Sequence, residues 1–372
     1  MDHAPLKQIN HLGQSIWLDF IERSILANGD LAGLIQDDDL AGLTSNPAIF
    51  EKAISQDKTY SEDIARLGRA GVTREGLYTS LVLDDISRAA DLFIPVYEQT
   101  NGRDGYVSIE VSPLLARDSE ASINEARELW GQLQRPNIMI KIPGTQEGLG
   151  AVRTLLAEGI NVNVTLLFSV DRYASVLETY LQALEDRQAQ GLPLDRVASV
   201  ASFFLSRIDV KVDALLDKMT ADDSQAIPPR ELRGRTAIAS AALAYRHYQS
   251  VIQSPRWQNL ATAGANVQRL LWASTSTKDP AYSEIKYVEP LIAENTVNTL
   301  PMNTLNAYRE QGQPALRIDE AIASADEVMT QLADLGVDIP TLMQALEEEG
   351  INKFVQPYEV ILDKLDQLRQ AS

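Results

Sequence analysis

Lys141 lies in the run NIMIKIP (137–143), flanked by Ile140 and Ile142 in a segment with strand character. It is one of ten lysines in 372 residues, and most of the others have polar or helical surroundings. An amine in such a setting is a candidate nucleophile toward a carbonyl carbon. Attack requires the neutral amine, whereas a free lysine, with a pKa near ~10.4, is protonated at neutral pH. Desolvation at an apolar strand end favours the neutral form. Taken by itself, the position fits equally well a lysine whose stem packs while its ammonium reaches water.

Other polar residues share this setting. Asp19, Asn46, Glu110, Lys141, Thr165 and Ser202 each fall near the C-terminal end of a short apolar run. Side chains alternate faces along a strand. Ile138, Ile140 and Ile142 therefore oppose Asn137, Met139 and Lys141, while Ile16, Leu18 and Phe20 oppose Ser15, Trp17 and Asp19. Val107, Ile109 and Val111 oppose Ser108 and Glu110; Val162, Val164 and Leu166 oppose Asn161, Asn163 and Thr165. One face is apolar throughout and suits packing against helices, and the other carries the chemistry. Buried Asp, Glu and Lys are costly unless paired, so a structural ion-pair network is one reading. Six strands converging on one cluster favour catalysis. Asp19 and Glu110, on separate strands, can serve different proton transfers. They would also suit the acid pair of a glycoside hydrolase, a reading weakened by the strand lysine and two asparagines beside them.

The elements that must position these residues alternate along the chain. Strand candidates are residues 15–20, 40–46, 106–112, 137–143, 161–168, 197–204, 268–275 and 296–300, with amphipathic segments between most of them. In Ser119–Leu133, Ser122 and Glu125 are spaced as a capping box, and Gly159 is placed to end the helix after Gly148. The connections 47–105 and 205–267 are long but carry helical patterns such as Leu81–Tyr97 and Ala237–Ile252. After Leu300 two or three helices follow, including Ile318–Leu335 and Val355–Leu368, with Glu347, Glu348 and Glu349 read as a solvated outer face. Eight strand–helix units predict an α/β fold, a (β/α)8 barrel whose active site lies at the C-terminal strand ends. Residues 1–372 are expected to form one domain, with 302–372 a helical extension packed on the barrel. A doubly wound open sheet is the alternative.

Composition removes several classes of function. Lys plus Arg total 33 against 52 Asp plus Glu, a net charge of −19, which opposes nucleic acid or anionic membrane as partner. A small phosphorylated ligand needs only a few local cations. Cysteine is absent, and His3, His11 and His247 follow no ligand spacing, so disulfides, thiolate metal sites and histidine triads are not expected. No apolar run approaches 18 residues and the first residues lack a signal-peptide core, so a soluble cytoplasmic protein is expected.

WLDFIERS, GLTSNPAIF, SIEVSP, IMIKIPGTQEGL, NVTLLFS and SFFLSRID occur in this order, and together they resemble the successive strand-end motifs of the transaldolases. The C-terminal region resembles the longer-chain branch of that family. The resemblance implies that Lys141 forms a Schiff base with a ketose phosphate and that Asp19 is the general base of carbon–carbon cleavage. Glu110 and Thr165 would hold a catalytic water; Asn46 and Asn163 would bind the dihydroxyacetone hydroxyls; Ser202 and Arg207 would contact sugar and phosphate. No cofactor or metal is implied. The implied reaction moves a dihydroxyacetone unit between sugar phosphates in the non-oxidative pentose phosphate pathway, by a monomer or homodimer. After strand seven, the family's Ala-Ser-x-Arg pattern is Ala273-Ser274-Thr275-Ser276 here, leaving Ser274 and, two residues further on, Lys278 as candidate phosphate contacts. A related subfamily, the fructose 6-phosphate aldolases, tends to carry Gln in place of Glu110 and Tyr in place of Phe204. That lyase is the alternative function.

Overall fold

A computed structural model describes residues 4–219 and 228–370; His3 lies outside this range. Eight parallel strands close into a barrel in sequence order: β1 (Gln14–Asp19), β2 (Gly42–Thr44), β3 (Tyr106–Glu110), β4 (Ile138–Pro143), β5 (Val162–Leu167), β6 (Ser199–Phe204), β7 (Arg269–Ala273) and β8 (Thr296–Leu300). Closure leaves no free edge and excludes the open doubly wound sheet. The chain is therefore a (β/α)8 barrel with additional helices. Register aligns Glu110 with Lys141, Lys141 with Asn163, and Pro143 with Thr165, so three neighbouring strands deliver their polar residues at one level.

The alternation read from the sequence holds in β3, β4 and β5. Val107, Ile138, Ile140, Val162 and Val164 are wholly buried in the hydrophobic core that joins the strands to the surrounding helices. The inward face is filled partly by Trp17. An ideal Cβ built on Gly42 would lie 2.6 Å from two indole carbons of Trp17, so the strand has glycine where the indole crosses the barrel. Gly42→Ala is expected to lower stability by about 1–3 kcal/mol through overpacking, read as a drop in Tm. Below the indole, the N-terminal end of the barrel carries an ionic layer that the strand parity did not signal. Arg269 donates to Ser15 Oγ (2.8 Å) and Asp104 Oδ1 (2.9 Å), and Ser15 donates to Asp104 Oδ2 (2.8 Å). Every member is buried and paired, so the layer satisfies itself.

Two local expectations need correction. Helix Ser119–Leu133 is capped by Asp118, which accepts from Ala121 N at 2.9 Å, not by a Ser122/Glu125 box. Ser122 instead donates to Leu115 O, and Glu125 accepts from Ser112 N, tying the helix to the loop after β3. Asn46 is also not a strand residue: β2 ends at Thr44, and Asn46 caps helix Pro47–Gln56 by accepting from Ile49 N at 3.0 Å. Gly159 does end helix Gly148–Glu158, at φ +92°.

The long connections are helical, with Arg74–Gln99 the longest helix of the first and Thr236–Ile252 of the second. After β8 come helices Met302–Gln311, Ile318–Asp334 and Ile339–Gln370. The last runs 32 residues, about 48 Å at 1.5 Å per residue, and reaches across the barrel mouth. Its acidic triplet is not simply solvated. Glu347 pairs with Arg172 (3.5 Å), Glu348 with Arg117 and Glu349 with Lys211, so three separate elements grip this helix. No helix among the described residues is long and apolar enough to cross a membrane.

Candidate active site

The C-terminal strand ends open into a cavity lined by Asp19, Asn46, Lys141, Thr165, Ser202, Arg207, Ser274 and Lys278, among others. Eight of the ten residues singled out in the sequence therefore face one space. Glu110 and Asn163 stand directly behind this lining.

Lys141 is 5% exposed, so its ammonium does not snorkel to bulk water. Nζ donates to Ser45 O at 2.8 Å and lies 3.0 Å from Glu110 Oε1. The carbonyl comes from the turn between β2 and the Asn46-capped helix, so that cap also fixes the lysine. Burial pushes the Glu110 carboxyl above the ordinary range, opposed by the nearby Lys141 charge and reinforced by Asp19. Neither Glu110 oxygen accepts an aligned hydrogen bond among the described residues, and the buried Thr165 hydroxyl has no partner there either. Thr165 is followed by an irregularity in the β5–β6 pairing, with Leu166 at φ +62°. This is a bulge that re-aims the strand end beside the site.

Asp19 accepts from Thr44 Oγ1 at 2.8 Å, and Thr44 in turn lies 2.7 Å from Thr299 Oγ1. With Asp19 ionised, the donors run Thr299 to Thr44 to Asp19 across β8, β2 and β1. Burial raises the Asp19 pKa above its usual value, opposed by Lys141 and then by the Thr44 hydrogen bond. The segment after Asp19 is held by Arg23, which donates to the wholly buried Asp85 (2.9 Å) and to Asp63 (2.7 Å).

Asn163 is fully buried. It donates to Ser108 Oγ at 3.1 Å and accepts from Ser202 Oγ at 2.6 Å, so it orients Ser202 and retains one amide hydrogen. The Asn46 side-chain oxygen is spent on its helix cap, leaving its amide group to donate into the cavity. Ser274, at φ +54°, lies 2.9 Å from Ser206 Oγ.

Arg207, the second residue of helix Ser206–Leu216, lies over the rings of Phe204 (5.5 Å) and Phe354 (5.9 Å). Its buried Nη1 has no hydrogen-bond partner among the described residues. Burial pulls the guanidinium below its usual value, with Asp19, Glu349 and Glu110 opposing. Lys278 lies on the exposed loop after β7 and donates to Ser276 Oγ at 2.5 Å. Although the residue as a whole is exposed, its amine sits partly shielded at the cavity rim, and its pKa is lowered first by this partial desolvation, then by the Arg207 and Lys353 charges. Two cations thus meet at one rim of the cavity.

Three site residues were missed in the sequence. Thr44 follows inward Gly42 by strand parity, so its place was readable. Ser45 acts through its backbone. Phe354, whose ring is 5.8 Å from Lys141 Nζ, comes from the terminal helix, and nothing local in the sequence marks it.

The comparisons with known proteins agree with one another. Residues 16–365 match the family model described as transaldolase/fructose-6-phosphate aldolase. The chain is 48% identical to the protein named Transaldolase 2 of Nostoc sp. over 97% of this chain and 96% of that one. It is 44% identical to the transaldolase of Thiobacillus denitrificans over 96% and 99%, and 45% identical to that of Thermobifida fusca over 98% of each. With a buried lysine paired to Glu110 and sharing a cavity with Asp19 in a closed barrel, and relatives matching over nearly the whole chain, this chain belongs to the transaldolase/fructose-6-phosphate aldolase family.

Proposed function

We propose that this enzyme is a transaldolase that carries a dihydroxyacetone unit from a ketose phosphate to an aldose phosphate on Lys141. The observation that carries the proposal is the buried Lys141 amine, 3.0 Å from Glu110 and in one cavity with Asp19 and Arg207. Donors such as sedoheptulose 7-phosphate or fructose 6-phosphate, and acceptors such as erythrose 4-phosphate or glyceraldehyde 3-phosphate, fit a site with a cationic rim.

Glu110 takes a proton from Lys141, and the freed lone pair attacks the ketose carbonyl carbon while the carbonyl oxygen is protonated. Loss of water from this carbinolamine gives the protonated imine. Glu110 and Thr165 serve this exchange through a water held between them, which suits a buried carboxylate paired with Lys141 but accepting no aligned hydrogen bond, and a buried hydroxyl with no partner, among the described residues. Asp19 then removes the proton from the hydroxyl on the carbon being released. The carbon–carbon bond breaks, the aldehyde leaves, and the bonding pair flows into the imine to give an enamine. The enamine adds to the acceptor aldehyde as Asp19 returns a proton, and hydrolysis frees the new ketose and Lys141. Asn46, Asn163 and Ser202 hold the hydroxyls of the three-carbon unit. Arg207, with Ser274 and Lys278, holds phosphate: a desolvated guanidinium with no carboxylate partner among the described residues is a strong site for an anion.

Transfer rather than free aldol cleavage is favoured by Phe204. It lines the cavity against Phe354 and Phe168 and has no hydroxyl to protonate the waiting enamine. The same reading makes residues 1–372 one cofactor-independent unit, monomer or homodimer, acting in the cytoplasm in the non-oxidative pentose phosphate pathway. With fructose 6-phosphate as donor, turnover is expected to require erythrose 4-phosphate, giving sedoheptulose 7-phosphate and glyceraldehyde 3-phosphate in equal amounts. Rapid release of dihydroxyacetone without acceptor would instead make it a lyase.

A further inference from the structure

Arg207 and Lys278 are held very differently. The guanidinium is confined by two rings, whereas Lys278 is exposed and its ammonium, among the described residues, hydrogen-bonds Ser276 Oγ. A long side chain on a free loop would lose much rotamer freedom on binding a ligand. The loop from Ser274 to Val288 is not free, however. Asp279 pairs with Arg233 at 2.7 Å. Tyr282 donates to Asp213 Oδ2 at 2.6 Å, and Tyr287 donates to Asp209 Oδ2 at 2.8 Å. Lys286 Nζ sits 3.6 Å over the Tyr282 ring and 3.8 Å from the same Asp209 oxygen.

Asp209 and Asp213 lie one turn apart on helix Ser206–Leu216, which carries Arg207 in its first turn. Their remaining oxygens are also occupied: Asp209 accepts from Ala237 N and Asp213 from Gly234 N, each at 2.8 Å. Gly234, at φ +68°, lets the chain pass beneath the Lys286–Tyr282 stack, where a Cβ would come within 2.8 Å of the ring. Two buried carboxylates thus bind a loop and a backbone turn at once.

We propose that Asp209, Asp213, Tyr282 and Tyr287 form a clamp that sets the loop carrying Lys278 in register with the helix carrying Arg207, and so determines the preference for phosphorylated over unphosphorylated substrates. The proposal rests on the phosphate grip described above. These four are positioning residues: they touch no substrate, and their effect passes through Lys278. Lys278 borders both the catalytic cavity and the hollow lined by the clamp, so loosening the clamp frees it to turn away from phosphate.

The test is the double variant Tyr282→Phe/Tyr287→Phe, which keeps both rings and removes both hydroxyl donors. With erythrose 4-phosphate as acceptor, KM is expected to rise about tenfold with kcat within about twofold, the loss of roughly one charge-assisted contact. The Ki of inorganic phosphate against fructose 6-phosphate rises in parallel, while kcat/KM for unphosphorylated D-glyceraldehyde is unchanged. Lys278→Gln produces the same loss, and adding it to the double variant costs little more, because both act through one contact. An unchanged phosphate Ki in the double variant overturns the clamp, as does an equal fall in kcat/KM for both acceptors, which marks general loosening. If Lys278→Gln itself leaves the phosphate Ki unchanged, the phosphate role of Lys278 fails and the clamp proposal falls with it.

Discussion

Lys141→Met is expected to abolish transfer, with a loss of about 10^4- to 10^6-fold in kcat, the range seen when a covalent nucleophile is removed. Methionine keeps most of the volume and an unbranched stem, so the cavity wall is preserved. The substitution also separates chemistry from architecture. Removing the amine takes away the cation 3.0 Å from Glu110 and the largest charge opposing the burial of Asp19. The buried Glu110 and half-buried Asp19 carboxylates then lose this charge, and unpaired charge away from water is destabilising. Lys141→Met is therefore expected to lower Tm at neutral pH, with the deficit shrinking as pH falls and the carboxylates take up protons. If Lys141 were a merely structural member of an ion pair, Tm would fall in the same way but turnover would survive. Activity within tenfold of the parent would exclude it as the nucleophile.

Asp19→Asn has a different signature. Cleavage loses its general base, and kcat is expected to fall about 10^2- to 10^4-fold. Schiff-base formation, assigned to Lys141 and Glu110, continues. Borohydride added with fructose 6-phosphate then traps the intact six-carbon sugar on the protein, where the parent traps mainly the three-carbon unit. Stability moves the other way from Lys141→Met. Burial holds the native pKa of Asp19 above its unfolded value near ~3.9. The native state therefore keeps the proton over an interval in which the unfolded chain has lost it. The stability that Asp19 contributes is present below the unfolded value and is lost as pH rises through the native one. Asparagine removes that cost, so the variant is expected to be more stable than the parent at neutral pH, and the gain vanishes below the unfolded value near ~3.9. A Tm difference that does not change with pH would contradict the raised pKa.

Legibility in the sequence followed the distance over which each feature is encoded. Period-two alternation is local, so Asp19, Glu110, Lys141, Thr165 and Ser202 could be placed inward and near strand ends, and the eight strands counted. Ends of elements depend on competing hydrogen bonds. Asn46 reads as the last residue of a strand, yet a proline follows it and its side chain caps the next helix. Ser122 and Glu125 had capping-box spacing, but Asp118 is better placed, three residues before Ala121, and it takes that role. Features that depend on tertiary contact were not legible. Glu347, Glu348 and Glu349 look like any solvated helical face until Arg172, Arg117 and Lys211 arrive from three other elements. Phe354 reaches the cavity because the terminal helix packs on the barrel through buried residues such as Met343, Leu346, Ile361 and Leu365, with those pairs at its surface. Gly42 is the informative intermediate case: glycine in a strand signals a close approach, but only the fold identifies Trp17 as its cause.

The phosphate grip shows the same limit. The sequence shows Ser276 where the family pattern has arginine and offers Lys278 as the nearest cation. Whether a lysine two residues along can be aimed usefully depends on Asp209, Asp213, Tyr282 and Tyr287. No two consecutive residues among these four are closer than four positions apart, and the two pairs lie on different elements. Their meeting is a property of the barrel, which sets helix Ser206–Leu216 beside the loop after β7.

The central claim is that the Lys141 amine bonds to the ketose carbon, and borohydride reduction of the enzyme with fructose 6-phosphate tests it most directly. Peptide mass analysis is expected to find a reduced three-carbon adduct on the peptide containing Lys141, absent without sugar and absent in Lys141→Met. An active enzyme whose Lys141 peptide remains unmodified under these conditions would contradict the account.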